Sequence, residues 1–244
     1  GSTTTDYVVV LNGNVVAQEG VVLPGSGFAS AVSGTFGSAG NGCLSPYNGH
    51  YIFRSSNADT NDWVYADGAV VATNDAPIYA GALENFSDDT GFTACFFISV
   101  VDSAGNYIVG GVTDAVDPNA NAVLVYNNSF VLLRENDPVD IDGNGLADDD
   151  AYISVFNNDD CFLADDGNFY FTATLRDGLG NSIAHAFMVV AVPSQTIVGD
   201  SNCDGNVDFG DIDYFVAALS GQAAWEALFM GAPPCDYLIA NDCN

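Results

Sequence analysis

Residues 200–211 read Asp-Ser-Asn-Cys-Asp-Gly-Asn-Val-Asp-Phe-Gly-Asp, with oxygen-bearing side chains on nearly every second position. A backbone wrapped around a hard cation turns alternate side chains inward, and calcium is the ion that takes such an all-oxygen shell. Laid on a calcium loop, Asp200, Asn202 and Asp204 occupy the first, third and fifth places, and Gly205 makes the sharp turn. Asn206 then contributes its carbonyl, Asp208 follows two residues later, and Asp211 closes the loop. Cys203 lies inside the loop, where a disulfide would pin it, and Val207 is expected to bury beside it. The residues that follow place Ile212, Phe215, Val216 and Leu219 on one helical stripe, which predicts a helix leaving the loop directly.

A second acidic run, 137–152, reads DPVDIDGNGLADDDAY. Asp140, Asp142 and Asn144 take the first ligand positions, Gly145 the turn, the Leu146 carbonyl the next place and Asp148 the one after. The final place falls on Ala151, so a closing carboxylate has to come from Asp149, Asp150 or another segment. Strand-like sequence flanks this loop on both sides. Without a cation its clustered aspartates repel one another. Asp114, Asp117 and Asn119 form a weaker third candidate, and the pairs at 88–89, 159–160 and 165–166 read as solvated turn residues.

No nucleophile elbow, zinc-protease helix or phosphate loop is present. His50 and His185 lie in or beside strand segments and read as structural. Two carboxylates suffice for glycoside hydrolysis, but nothing singles out a pair among 32 acids, so no catalytic residue is assigned. Lysine is absent, which removes Schiff-base chemistry and lysine–asparagine isopeptide staples.

The elements that must hold these loops are strands. The chain has 244 residues, 3 arginines and a net charge of -29, with 48% hydrophobic residues. That balance excludes nucleic acid as a partner and disfavours an anionic membrane surface, while leaving ample material for a core. No long apolar run predicts membrane insertion. Cysteines at 43, 95, 161, 203, 235 and 243 make an even number and predict disulfides in an oxidising compartment.

Self-similarity recurs at about sixty residues. VVVLNGNVVAQE (8–19), VYADGAVVATND (64–75) and VYNNSFVLLREND (125–137) each read as strand, tight turn and strand. NGHYIF (48–53), AGNYIV (104–109) and DGNFYF (166–171) recur in step, each preceded by one of Cys43, Cys95 and Cys161. The expected fold is therefore mainly β: repeated antiparallel sheets, propeller-like or sandwich-like, in three units of about sixty residues. A repeated β domain over 1–195 is expected to carry a small α-helical calcium-loop appendage over 196–244.

Two resemblances follow from these motifs. The run Asp-x-Asn-x-Asp-Gly-x-Val-Asp-x-x-Asp leading into a helix closely resembles a type I dockerin repeat. That resemblance implies calcium at 200–211 and, where repeats are paired, docking to cohesin modules. Here NDCN (241–244) supplies only Asp242 and Asn244 toward a second loop, and the partner-recognition places hold Phe209 and Gly210. The repeated pattern over 6–192 is similar to tandem-repeat β domains of large secreted bacterial proteins, which implies an extracellular or cell-surface location.

Together these readings lead to a non-enzymatic structural or adhesive protein, ordered by Ca2+ and disulfides. Incomplete repeats at the two ends point to self-association into a filament or layer, with another surface protein as the alternative partner. Two rival functions stay open. One is a dockerin-bearing module docking to a cohesin-type partner. The other is a carbohydrate-binding or carbohydrate-active domain using Trp63, Tyr65, Tyr79 or Tyr126.

Overall fold

Short apolar runs separated by Asn-Gly and Asp-Gly pairs fold as antiparallel meanders in the computed structural model of this chain. The structure describes residues 7–33, 42–44, 48–59, 61–87, 94–192, 199–203, 207, 209–229 and 237–241. Cα packing separates two compact units, Gly1–Val190 and Ala191–Asn244.

Among the described residues the first unit contains four antiparallel sheets. Sheet I is the hairpin β1 (Val8–Leu11) and β2 (Asn14–Gln18). Sheet II is the meander β3 (Gly42–Leu44), β4 (Tyr51–Ser56), β5 (Asp62–Ala66) and β6 (Ala69–Thr73). Sheet III repeats it with β7 (Phe96–Val101), β8 (Tyr107–Val112), β9 (Ala122–Tyr126) and β10 (Phe130–Arg134). Sheet IV has three strands, β11 (Tyr152–Leu163), β12 (Asn168–Arg176) and β13 (Ser182–Ala191). The repeat is thus a four-stranded meander, complete in sheets II and III. Strand order in every sheet is linear, and among the described residues the sheets form neither a closed barrel nor the propeller that the sixty-residue repeat allowed.

The predicted hairpins form, and their turns explain the residue choice. Asn12 and Gly13 (φ 49° and 82°) join β1 to β2, and Asp67 and Gly68 (φ 46° and 92°) join β5 to β6. Left-handed backbone at both central residues matches the twist of the strands, and Asn, Asp and Gly tolerate it best.

Successive sheets pack face to face. Ile52 and Val64 on one face of sheet II meet Val109, Val123 and Val125 of sheet III, with Phe86 and Phe96 between them. The alternate residues Phe53, Trp63 and Tyr65 turn to the opposite face and pack with Val9, Val16 and Ala17 of sheet I. Phe97 of sheet III stacks on Phe156 of sheet IV, centroids 6.1 Å apart. The central strands β4 and β5 of sheet II are therefore covered on both faces. Close approach extends to the backbone: a Cβ on Gly110 would lie 2.8 Å from Ile98 Cβ and 2.9 Å from Leu124 Cδ2.

Equivalent turns are chained from sheet to sheet. Asn48 Nδ2, ahead of β4, donates to the carbonyl of Ser103 in the β7–β8 turn at 2.5 Å. The Ser103 amide donates in turn to Asp165 Oδ1, in the β11–β12 turn, at 2.9 Å. The three arginines serve the same end. Arg54 of sheet II donates to Ser99 of sheet III, and Arg176 of sheet IV donates to Asn136, beyond sheet III. Arg134 of β10 grips Glu84, in the connection between sheets II and III, with two bonds of 2.9 and 2.7 Å, and also reaches the Ala120 carbonyl.

Burial alone would raise the Glu84 carboxyl, but the Arg134 and Thr113 hydrogen bonds and the Arg134 charge outweigh it and hold it below the usual glutamate range. The stability this gives is present above the unfolded carboxyl value and is lost as pH falls through the lower folded one. Arg134→Met should therefore cost about 1–2 kcal/mol at neutral pH, because it strands a half-buried carboxylate. Urea unfolding followed with pH should show the gap to wild type closing under acid conditions. A gap independent of pH would refute the account.

The second unit is held by α1 (Ile212–Ala218), α2 (Gln222–Glu226) and α3 (Tyr237–Ala240). Trp225 is its centre, buried with Cys203, Ala218 and Ala240 and flanked by Tyr214, Phe229 and Tyr237. The helix predicted after the loop is present, but it does not bury the expected stripe. Ile212, Val216 and Leu219 are exposed and Phe215 is only half-buried, whereas Tyr214 and Ala218, four residues apart, face the tryptophan. Among the described residues no helix is long and apolar enough to cross a membrane.

Candidate metal centres

The loop between β10 and β11 is built on a paired neck. Val139 and Ala151 are joined by a backbone bond of 2.9 Å, and Asn136 and Asp137 pair with Ile153 below it. Above the neck the chain coils back on its own carboxylates. Asp140 Oδ1 accepts the Gly143 amide at 2.7 Å, and Oδ2 accepts the Gly145 amide at 2.8 Å. Those amides, led by that of Gly145, hold the Asp140 carboxyl below its ordinary range. Asp149 Oδ2 accepts the amides of Ile141 (2.7 Å) and Asp142 (3.1 Å), bringing the far end of the loop over its start.

One carboxylate oxygen from each of Asp140, Asp142 and Asp149 lies within 4.8 Å of the other two. Oxygens bound to one calcium ion at about 2.4 Å stand no more than about 4.8 Å apart, so the spacing suits a shared cation. Asp149 is one of the carboxylates the sequence offered to close the loop; Asp148, assigned to an earlier ligand place, is not among these three. Asp150 is turned elsewhere and accepts the Gly178 amide at 2.8 Å. Asn144 spends its Oδ1 on the Leu146 amide, and the Leu146 side chain is exposed.

The 200–211 loop is described only in part. Asp204, Asn206 and Asp208 lie outside the described residues, as do Gly205, Cys235, Cys243, Asp242 and Asn244. The two ends of the loop are placed. Asp200 and Asp211 are buried, at 0% and 5% exposure, which is unusual for carboxylates. Asp211 Oδ1 accepts the Asn202 amide at 3.0 Å, drawing the last ligand position to the first turn. Cys203 takes a left-handed φ of 62° and is disulfide-bonded. Val207, expected to bury, is 58% exposed, because the unit's core forms on the Trp225 side.

Of the paired aspartates read as solvated turn residues, 165–166 lie in the β11–β12 turn, 159–160 fall instead within strand β11, and 88–89 lie outside the described residues. Several other aspartates organise turns. Asp102 Oδ1 accepts the amides of Ala104 and Asn106, and Asp177 does the same for Leu179 and Asn181. Of the third candidate site, Asp114 accepts the Asn85 amide and side-chain amide through its two oxygens, and Asp117 Oδ1 accepts the Asn119 amide. Among the described residues, Asp140, Asp142 and Asp149 are the one group of three with metal-ligand spacing.

The histidines are accounted for locally: His50 Nδ1 lies 2.6 Å from Asp67 Oδ2, and His185 Nδ1 lies 3.2 Å from Thr174 Oγ1. The aromatics considered as a glycan platform are mostly core. Trp63, Tyr65 and Tyr126 are buried, and burial pushes the Tyr126 phenol up to about 12. Tyr79 packs half-buried against the core between sheets II and III. No protein-family model and no curated protein matches the chain.

Proposed function

We propose that this chain is a non-enzymatic structural or adhesive protein of the cell surface or extracellular space, whose repeated sheets are ordered by Ca2+ and which self-associates. The observation that carries the reading is the convergence of Asp140, Asp142 and Asp149 in the loop joining sheets III and IV. Three carboxylates held at that distance repel until a cation neutralises them. Calcium bound there cross-links a connection that a secreted β protein would otherwise leave loose, and binding energy becomes folding energy. The buried Asp200 and Asp211 support a second ion in the 191–244 unit. Thermal melting tests this: millimolar calcium should raise the midpoint by several degrees over chelator. Equal midpoints would overturn the mechanism.

A docking role for the second unit is favoured by one feature. Phe209 is 91% exposed, and Ile212, Val216 and Leu219 continue an apolar strip along α1. Titration of an isolated cohesin-type module into the chain separates this reading from the first, which needs no such binding.

A further inference from the structure

Strands β4 to β10 expose no large apolar side chain among the described residues, yet both outermost sheets do. On sheet I, Val8, Val10 and Val15 point away from sheet II, with Val10 and Val15 a cross-strand pair. On sheet IV, Phe162 and Tyr170 pair across strands and stack at 4.8 Å, and Phe187 continues the row at 6.2 Å. Phe162, Phe187 and Val189 are 52%, 68% and 50% exposed. Beside this row lies a recess of about 440 Å³ whose lining includes Val155, Asp160, Thr172, Thr174 and His185. In a chain with 32 acids, β1, β2, β12 and β13 carry no carboxylate; those nearest the row are Asp160 of β11, at the recess, and Asp166, which accepts the Tyr170 hydroxyl at 2.8 Å.

We propose that the outer face of sheet IV in one copy packs on the outer face of sheet I in the next, stacking copies head to tail. The inference rests on the structural reading above and names the surfaces it uses. Its warrant is continuity. Inside the chain an aromatic face (Phe53, Trp63, Tyr65) is already covered by the aliphatic hairpin of sheet I. The turn-to-turn bonds advance by one sheet each time. A second copy extends the same packing, with Val8, Val10 and Val15 covering Phe162, Tyr170 and Phe187. Because the two faces differ, the contact is heterologous and each copy keeps a free face for the next. The net charge of -29 opposes stacking, so added salt or calcium should strengthen it.

Sedimentation velocity and electron microscopy of the full chain in calcium test the proposal, with far-UV circular dichroism confirming that each variant is folded. Wild type should form concentration-dependent chains. V10D and F187D, at exposed positions, should each weaken association by roughly a hundredfold or more, because each puts an unpaired carboxylate in the contact. Mixing the two variants should restore dimers and nothing larger, since each retains the face the other has lost. Wild type that stays monomeric would overturn the proposal, as would self-association of V10D alone. The calcium shift in melting is scored separately. A shift without association defeats the stacking and spares the calcium mechanism, and association without a shift does the reverse.

Discussion

Replacing Trp63 with alanine is expected to cost about 3–5 kcal/mol, among the largest effects of any single change in the β unit. Trp63 is fully buried on the face of sheet II that sheet I covers. Its ring meets Phe53 edge-on at 5.9 Å and Tyr65 at 6.5 Å, and it lies tilted against Phe28 at 6.4 Å. Truncation opens a cavity that three neighbouring rings, each fixed by other contacts, fill poorly. It also removes the indole N–H that donates to Asn57 Oδ1 at 3.0 Å, leaving an acceptor on a residue only 2% exposed. Trp63→Phe keeps most of the apolar area and loses only that bond and some volume, so it should cost about 1–2 kcal/mol. Urea unfolding followed by far-UV circular dichroism measures both. A loss below about 1 kcal/mol for the alanine variant would mean that sheet I does not form a shared core with sheet II.

Much of this architecture is legible in the residues, and for a physical reason. Asn12-Gly13 and Asp67-Gly68 specify turns with left-handed backbone, so the hairpins can be read locally. The sixty-residue recurrence likewise maps onto sheets II and III. What could not be read depends on distant partners. The stripe Ile212, Phe215, Val216, Leu219 has the right period for a buried face, but the core of this small unit gathers Tyr214 and Ala218 around Trp225, which leaves Phe215 half-buried and the other three exposed. The sequence narrowed the closing carboxylate to Asp149, Asp150 or another segment, and the choice is made by how the loop folds over: Asp149 reaches the Ile141 and Asp142 amides, while Asp150 accepts that of Gly178. Asp102 and Asp177 each organise a turn through two amides, a role for which the short aspartate side chain is suited. Aromatic type says nothing of exposure: Trp63 and Tyr65 are core, while Phe162 and Phe187 on the last sheet are open.

Asp200→Ala is expected to abolish most of the calcium stabilisation of the 191–244 unit, about 4 kcal/mol where calcium stands a thousandfold above its dissociation constant. The unit's core is a single tryptophan, a few flanking rings and two alanines, which is little apolar area to offset chain entropy. The loop and that core are directly linked. Asp200 is fully buried, and the carbonyl of its neighbour Ser201 accepts the Trp225 indole N–H at 2.7 Å. Ser201 Oγ also bonds Asn241 at 2.9 Å, beyond α3, so ordering the loop orders both ends of the unit. The chain has two tryptophans, so in a Trp63→Phe background the fluorescence reports Trp225 alone. Calcium should then protect Trp225 against urea in the parent and not in Asp200→Ala, with Asp200→Asn intermediate because a neutral oxygen remains. Equal calcium protection in parent and alanine variant would remove Asp200 from the site. Protection absent even from the parent would place the ordering of this unit in the Cys203 disulfide and the Trp225 core instead.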